Sequence, residues 1–224
     1  MIGNTDTTLS RTTGTVECMD TDMEFDELAD LTATWCRMWS ENPALAHEVM
    51  TDDCVQWAAT TEGLDSVVGP SQQERFVTAY RAQHVNVFAP RTIVAGGDMF
   101  GYLWDVTLPD GTTKSGIDVN VLQGKRIREN WTFVADRRRE AADPASGDAV
   151  APDAMRRLVD EWAAERGYRV HRRPVLDAAQ GRAALLRTSP SGDGTEVGGV
   201  DLLTVRDGAI EAIWSITGTR AFRY

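Results

Sequence analysis

Apolar and polar residues alternate most regularly between residues 85 and 135, which predicts extended segments there. Within this region, residues 104–131 contain three runs rich in β-branched and apolar side chains. Turn-forming residues separate the runs, at Asp110-Gly111 and around Gly124-Lys125. Runs of this kind joined by short turns predict a three-stranded antiparallel meander.

The first turn sets a predicted register for two of these strands. If Asp110-Gly111 supplies the two central turn residues, Asp118 lies opposite Leu103, and Asp105 lies opposite Gly116. Both carboxylates then lie on one face, diagonally related and about 7–8 Å apart or less. The register therefore predicts a pair of acids on one face of the sheet.

The second turn adds an aromatic ring to that face. A turn centred on Gly124-Lys125 places Trp131 opposite Asp118. An acid beside an apolar ring is poorly solvated, and poor solvation raises the pKa of a carboxyl group.

Helices are predicted before the meander. Apolar residues recur at helical spacing from Asp26 to about residue 40, which predicts an amphipathic helix. Asn42 is predicted to cap a second, short helix that has Pro43 at its first position. Residues 54–60 predict a short strand, and Gly69-Pro70 opens a further helix that reaches about residue 83.

The pattern starts again after residues 138–151, which are poor in large apolar side chains and are predicted to form a linker. A helix opened by Pro152 and a new set of strands follow. A shift of 83 residues aligns eight identical residues in 28 positions without a gap. They are Asp110/Asp193, Gly111/Gly194, Thr112/Thr195, Gly116/Gly199, Asp118/Asp201, Ile127/Ile210, Trp131/Trp214 and Arg137/Arg220.

This repetition predicts a second unit over residues 152–224. The unit has no counterpart to residues 26–60, so it would consist of one helix and a sheet. Each sheet must bury an apolar face, and the second unit has only one helix to cover its own. We therefore expect the two units to pack on each other as an intramolecular pseudo-dimer, or the chain to form a homodimer.

Composition and charge narrow the possible partners. The chain has 224 residues, a formal net charge of −11 and a pI near 4.7, which argue against nucleic acid or an anionic membrane as a partner. Residues 1–25 are rich in Thr and Asp and are predicted to be a disordered tail. No apolar run approaches the roughly 20 residues of a membrane-spanning helix.

Three cysteines, Cys18, Cys36 and Cys54, show neither a disulfide framework nor zinc-ligand spacing. We therefore expect a cytoplasmic protein without a metal or an organic cofactor.

The order of helix, helix, short strand, helix and long meander resembles the nuclear transport factor 2-like fold, in particular its SnoaL-like polyketide cyclase group. The matching motifs are Gly116-Ile117-Asp118, the turn at Gly124-Lys125, and the Glu-x-Trp of Glu129 to Trp131. The resemblance covers residues 26–137, and residues 152–220 resemble the second half of the same fold. It implies an α+β protein with a curved antiparallel sheet wrapped by helices into a cone, followed by an N-terminally truncated unit of the same kind.

In that superfamily the cone binds small, largely apolar molecules. The resemblance implies that Asp118 acts as an acid/base, as in SnoaL-like cyclases, or as an oxyanion hydrogen-bond donor, as in ketosteroid isomerases. Ala58-Ala59 stands where ketosteroid isomerases carry their general base, which argues against that chemistry. Leu103 and Phe133 stand where limonene-epoxide-hydrolase-like members carry an arginine and an aspartate, which argues against epoxide hydrolysis of that type.

These considerations define a candidate site. Asp118 and Asp105 are the predicted catalytic residues of a cofactor-independent cyclase or isomerase acting on a small, carbonyl-containing, polyketide-like natural-product intermediate. The predicted substrate-binding residues are Trp57, Trp131, Tyr80, Asn120 and Glu129. The alternative is a non-catalytic small-molecule-binding or dimerisation module in which Asp118 is structural and the aromatic residues are core.

Overall fold

The computed structural model describes residues 23–60, 63–136 and 146–223. The predicted tail therefore lies almost wholly outside the described residues, as does most of the predicted linker. The described chain is an α+β protein in which a curved five-stranded sheet is accompanied by helices and a second sheet. No helix of the described residues has the length and apolar character needed to cross a membrane.

The helices agree with the spacing of apolar residues. Asn42 accepts a hydrogen bond from the Ala44 amide and starts the short helical segment after the first helix, as predicted. Proline lies in the first turn of the third and fourth helices, where its missing N–H costs no hydrogen bond. The bounds are α1 Phe25–Ser40, a 3₁₀ turn Pro43–Leu45, α2 Ala46–Val49, a 3₁₀ turn Leu64–Ser66, α3 Gly69–Arg81 and α4 Pro152–Glu165.

The strands form two sheets. The first sheet has the order β1-β5-β4-β3-β2, in which β1 is parallel to β5 and the other pairs are antiparallel. Its strands are β1 Met50–Ala58, β2 Val87–Gly96, β3 Met99–Thr107, β4 Thr113–Gln123 and β5 Arg126–Asp136. The second sheet has the order β10-β9-β8-β6, and β7 also pairs with β8. Its strands are β6 Arg169–Val170, β7 Val175–Asp177, β8 Arg182–Pro190, β9 Glu196–Arg206 and β10 Ala209–Thr217.

The predicted register of β3 and β4 is wrong by one residue. Asp118 pairs with Tyr102 rather than with Leu103. The loop has three residues, not two: the Leu108 amide donates to the Thr112 carbonyl at 2.8 Å, and Gly111 takes a φ of +81°. A Pro-Asp-Gly loop of this kind adds one residue to the turn and therefore moves every side chain of one strand relative to the other.

The predicted register of β4 and β5 is wrong for a different reason. The turn at Gly124-Lys125 has two residues as predicted, because Gln123 pairs with Arg126. A β-bulge follows between Val121 and Leu122, and beyond it Asp118 pairs with Thr132 instead of Trp131. A bulge places two residues of one strand opposite one of the other, and it cannot be seen in the alternation of the sequence.

Three of the four buried clusters in the described residues cover the faces of the two sheets. The inner face of the first sheet packs on α1 and α2. The opposite face of that sheet shares one apolar cluster with the second sheet, in which Trp57 and Trp131 lie with Leu202 and Trp214. The other face of the second sheet is covered by α4. Both faces of each sheet are therefore covered.

The two sheets correspond in detail. Strands β8 and β9 run over the residues 83 positions after β3 and β4, and α4 begins 83 residues after α3. Asp201 pairs with Leu185 and Ser215, as Asp118 pairs with Tyr102 and Thr132 at the same offset. That the second unit is a truncated copy of the first remains a prediction, which these correspondences support.

Candidate active site

Asp118 is the central polar residue of the inner face. Its side chain lies on β4 and the residue is 3% exposed. The carboxylate accepts hydrogen bonds from Trp104 Nε1 at 2.7 Å, Asn130 Nδ2 at 3.0 Å and Tyr102 Oη at 3.1 Å. Strands β3 and β5 flank β4 and supply these donors, so the sheet itself holds the carboxylate with neutral groups.

A glycine makes room for the shortest of these hydrogen bonds. Trp104 pairs directly with Gly116 across β3 and β4. A Cβ atom at residue 116 would lie 2.1 Å from the Trp104 ring and 2.5 Å from the Phe133 carbonyl oxygen. The indole of Trp104 can therefore lie across the strand and reach Asp118 only because residue 116 has no side chain.

Burial controls the ionisation of the groups around Asp118. Desolvation raises the pKa of the Asp118 carboxyl, against the opposing effect of hydrogen bonds from Thr132, Trp104, Asn130 and Tyr102. Burial and the neighbouring Asp118 raise the pKa of Tyr102 well above its ordinary value. The phenol therefore keeps its proton at neutral pH and acts as a donor.

A cavity of about 400 Å³ opens beside Asp118, between the sheet and helices α1 and α3. Its volume lies within the range of small-molecule sites, about 300–1,000 Å³. Aromatic side chains make up much of the wall: Trp35, Trp39, Phe76, Tyr80, Phe88, Tyr102 and Trp104. Polar groups are fewer, and they include Asp118, Asn130 and Thr132 on neighbouring strands. The cavity thus combines a largely apolar wall with the polar groups around the Asp118 carboxyl, and its lining also includes Thr60, His84, Asn86 and Lys114.

Two of the predicted binding residues lie on the inner side. Tyr80 lines the cavity, and its hydroxyl accepts a hydrogen bond from Asn86 Nδ2 at 2.6 Å. Asn120 is fully buried on the same face of β4 as Asp118, and its Oδ1 accepts from Asn130 Nδ2 at 2.8 Å. Asn130 therefore links Asn120 to Asp118.

Asp105 was expected to share the face of Asp118, and this expectation is wrong. The three-residue loop pairs Asp105 with Ser115, which turns its side chain to the opposite face. There its carboxylate accepts hydrogen bonds from Ser115 Oγ and from Arg91 Nη1, the latter at 3.3 Å. Asp105 is therefore not placed to act on a ligand beside Asp118.

Trp57, Trp131 and Glu129 also lie away from the cavity. Trp57 and Trp131 pair with each other on β1 and β5 and are buried between the two sheets. Glu129 accepts a hydrogen bond at 2.7 Å from Arg172, which lies between β6 and β7. For Trp131 and Glu129 the bulge after Val121 is the physical reason, since it moves the alternation of β5 by one residue.

Sequence reasoning missed Tyr102, Trp104, Asn130 and Thr132, which surround Asp118. A signal for two of them was present in the Pro109-Asp110-Gly111 loop. Pro-Asp-Gly favours a type I turn followed by a left-handed glycine, and that loop length places Tyr102 and Trp104 on the face of Asp118. The two β5 residues depend on the bulge, for which the sequence gives no comparable signal.

Comparison with known proteins gives similarity of fold only. No protein-family model matches the chain. No curated protein matches it either. Among solved structures, a SnoaL-like family protein from Agrobacterium tumefaciens, provisionally assigned as an isomerase, is 18% identical with a TM-score of 0.44 and covers 49% of this chain and 98% of its own.

Two further solved structures give the same result. A protein from Bacillus cereus, provisionally assigned as a polyketide cyclase, is 13% identical with a TM-score of 0.42, over 48% of this chain and 74% of its own. A nuclear transport factor 2-like protein of unknown function from Mesorhizobium loti is 19% identical with a TM-score of 0.41, over 49% and 92%. Because identities and TM-scores are this low, the similarities assign neither a substrate nor a reaction.

Proposed function

We propose that the protein is a cofactor-independent acid/base cyclase or isomerase that acts on a small, carbonyl-containing, polyketide-like natural-product intermediate. The observation that carries the proposal is Asp118, a buried carboxyl group with a raised pKa on the wall of an aromatic-lined cavity. A raised pKa brings a carboxyl group closer to the operating pH, where it can both accept and release a proton.

The chemistry follows from the position of Asp118. As the carboxylate, it would take a proton from the carbon next to a substrate carbonyl, leaving an enolate. In a cyclase, the enolate carbon would attack a second carbonyl, and the resulting alkoxide would take the proton back from Asp118. In an isomerase, the enolate would be reprotonated at another carbon by the same acid. General acid/base assistance of this kind contributes about 10²–10⁴-fold to a rate.

The donors around Asp118 would orient it for this proton transfer. Tyr102, Trp104 and Asn130 fix the plane of the carboxyl group and provide neutral hydrogen bonds whether or not a substrate is bound. The aromatic wall excludes water and strengthens electrostatic interactions inside the cavity.

Exchange of carbon-bound protons tests the proposal without knowledge of the natural substrate. The bicyclic ketone 2-tetralone is mixed with the protein in deuterated buffer, and loss of its α-hydrogens is followed by proton NMR. We expect the wild-type protein to accelerate exchange and Asp118→Asn to lower that acceleration by at least about 10²-fold. Asp105→Asn is the matched control, because it makes the same change on the neighbouring strand but on the opposite face. Equal losses in the two variants, or no acceleration by the wild type, would count against the proposal.

The hydrogen bonds that the Asp118 carboxylate already accepts from the protein support a second candidate function. Protein donors already bind both of its oxygens, and this is also how a structural carboxylate is stabilised. In that case the protein is a small-molecule-binding or dimerisation module. The second candidate predicts that 2-tetralone shifts the indole N–H signals of Trp35, Trp39 and Trp104 while its α-hydrogens exchange at the uncatalysed rate.

We further propose that residues 152–224 are a truncated copy of the unit formed by residues 26–137, and that the two units form an intramolecular pseudo-dimer. The matching strand bounds and the shared apolar cluster between the sheets support this arrangement. The buried free thiols of Cys36 and Cys54 favour a reducing compartment such as the cytoplasm.

A further inference from the structure

The residues after β10 cross from the second unit to the first. The Thr219 amide and its Oγ1 both donate to the Ala59 carbonyl oxygen, at 3.3 and 3.1 Å. On the other side, the Gly198 amide donates to the Arg220 carbonyl oxygen at 2.8 Å. Residues 218–223, here called the C-terminal strap, are therefore bound at once to β9 and to the end of β1.

The strap also forms ion pairs with a buried aspartate of the first unit. The Asp65 side chain is 2% exposed, and its Oδ2 lies 2.7 Å from Arg220 Nη2 and 2.6 Å from Arg223 Nη1. Arg220 is 19% exposed and lies over the Trp57 ring at 5.3 Å, whereas Arg223 is 62% exposed. Arg220 is thus the better-fixed of the two arginines.

Asp65 belongs to a wall of the cavity. It lies in the 3₁₀ turn Leu64–Ser66, and its neighbour Leu64 lines the cavity together with Ala58 and Thr60 at the end of β1. Leu64 is buried against Ala58 and Val67. The strap therefore fixes the wall at two points: the Ala59 carbonyl and the Asp65 carboxylate.

We propose that Arg220 is a positioning residue for this cavity, and that the second unit acts through its C-terminal strap to fix the wall formed by the 3₁₀ turn and the end of β1. The inference depends on the proposed function only in taking the cavity as the ligand site. Because Leu64 is held in place through Asp65, the strap sets the shape of the cavity and hence which ligand it accepts.

The ion pair with Asp65 explains why Arg220 alone can fix the position of the cavity wall. Removing one partner of a buried ion pair leaves the other charge uncompensated in a poorly solvated place. Without Arg220, Asp65 would lose the better-fixed of its two strap arginines, and the turn would open towards water to solvate its carboxylate. The loosening should be local, because the apolar cluster between the sheets is left intact.

Hydrogen exchange at two backbone amides measures this loosening directly. The Ser66 amide donates to Gly63 and the Val67 amide to Leu64, so both report on the 3₁₀ turn. In the full chain, we expect Arg220→Gln to accelerate exchange at these amides about tenfold, while the amides of β4 and β9 keep their wild-type rates. Arg206→Gln is the matched control, since it removes an exposed arginine of the second unit that pairs with Glu211.

Two further variants identify the cause. Arg220→Lys keeps the charge and should retain more protection at Ser66 and Val67 than Arg220→Gln. Asp65→Asn should accelerate exchange by itself, and adding Arg220→Gln to it should produce little further change, because the two residues act through one pair.

The proposal is overturned if Arg220→Gln leaves the two amides protected, or if it accelerates exchange equally in β4 and β9, which would show general destabilisation. Equal exchange in the Lys and Gln variants, or effects of Asp65→Asn and Arg220→Gln that multiply, would also overturn it. None of these measurements requires turnover, so they stand apart from the proton-exchange test with 2-tetralone.

Discussion

The two sheets each bury one aspartate in the middle of a strand, but they compensate its charge differently. Among the described residues, the side chains that donate to Asp118 are neutral, and Asp118 faces a cavity. Asp201 is fully buried and lies 2.9 Å from Arg187 Nε, whose side chain is 4% exposed. The two aspartates therefore differ in their partners: Asp201 has a buried guanidinium beside it, whereas Asp118 has neutral donors and lines the cavity.

One pair of corresponding residues, Trp104 and Arg187, accounts for much of this difference in how the two aspartates are compensated. Trp104 and Arg187 lie 83 residues apart, and each pairs with a glycine, Gly116 and Gly199. A Cβ atom at either glycine would collide with the side chain opposite, 2.1 Å from the indole and 2.4 Å from the guanidinium. In each sheet, a glycine on the neighbouring strand therefore leaves room for the side chain that donates to the aspartate. This side chain is the uncharged indole of Trp104 for Asp118 and the charged guanidinium of Arg187 for Asp201.

The largest effect should come from removing the charge beside Asp201. Arg187→Leu leaves a buried carboxylate without its ion pair, and we expect a loss of about 3–5 kcal/mol in the free energy of unfolding. Arg187 also donates to Ser189 and Thr217, so these hydrogen bonds are lost as well. Urea denaturation at pH 7 measures the loss.

The double variant Arg187→Leu/Asp201→Leu is the control for this prediction. Apolar residues that replace a buried ion pair together often restore the stability that removal of one partner destroys. We therefore expect the double variant to be more stable than Arg187→Leu. A loss below about 1 kcal/mol in the single variant, the range of exposed pairs, would show that Asp201 is compensated by other groups.

Replacing the two glycines by alanine should lower the free energy of unfolding by intermediate amounts that differ between the two sites. Gly116→Ala would force apart the Trp104 ring and the Phe133 backbone, and overpacking of this kind costs about 1–3 kcal/mol. Gly199→Ala would meet the end of the Arg187 side chain, which has more freedom to adjust than a backbone carbonyl. We expect the larger loss of unfolding free energy from Gly116→Ala.

The indole of Trp104 provides a second measurement for the same pair of variants. Its N–H signal should move in Gly116→Ala, because the hydrogen bond to Asp118 is disturbed, and stay in place in Gly199→Ala. Equal stability losses with an unmoved indole signal would show that Gly116 does not position Trp104.

The sequence predicted where the helices and strands lie better than it predicted which face of the sheet each strand residue occupies. Helical spacing and proline placed α1, α3 and α4 to within a few residues, because burial of an apolar stripe is a property of each helix alone. The faces depend on loop length and on a bulge, and each changes the pairing by one residue. One such change is enough to turn a side chain from the cavity to the opposite side.

The candidate site shows the same limit. Asp118 and Tyr80 were predicted and line the cavity, since one rested on a motif and the other on helical spacing. Asp105 and Trp131 were assigned to the wrong face by the register errors. The contacts of the C-terminal strap could not be predicted, because they join residues about 155 positions apart without a repeating pattern.

The smallest expected effect is the dependence of stability on the ionisation of Asp118. Because burial raises its folded-state pKa, the native protein binds this proton more tightly than the unfolded chain does. Its contribution to stability is therefore fully present below the unfolded pKa of about 3.9 and is lost as pH rises through the folded pKa. Relative to Asp118→Asn, the wild-type protein should become less stable with rising pH over this window and then reach a plateau, as measured by urea denaturation at a series of pH values.

Tyr102→Phe sharpens the test, because the Tyr102 hydrogen bond lowers the pKa of Asp118 and its removal should extend the decline to higher pH. If the wild-type protein instead gains stability over Asp118→Asn as pH rises, the hydrogen bonds to Asp118 outweigh desolvation. Asp118 would then be a structural carboxylate like Asp201, and the contrast between the two sheets would disappear.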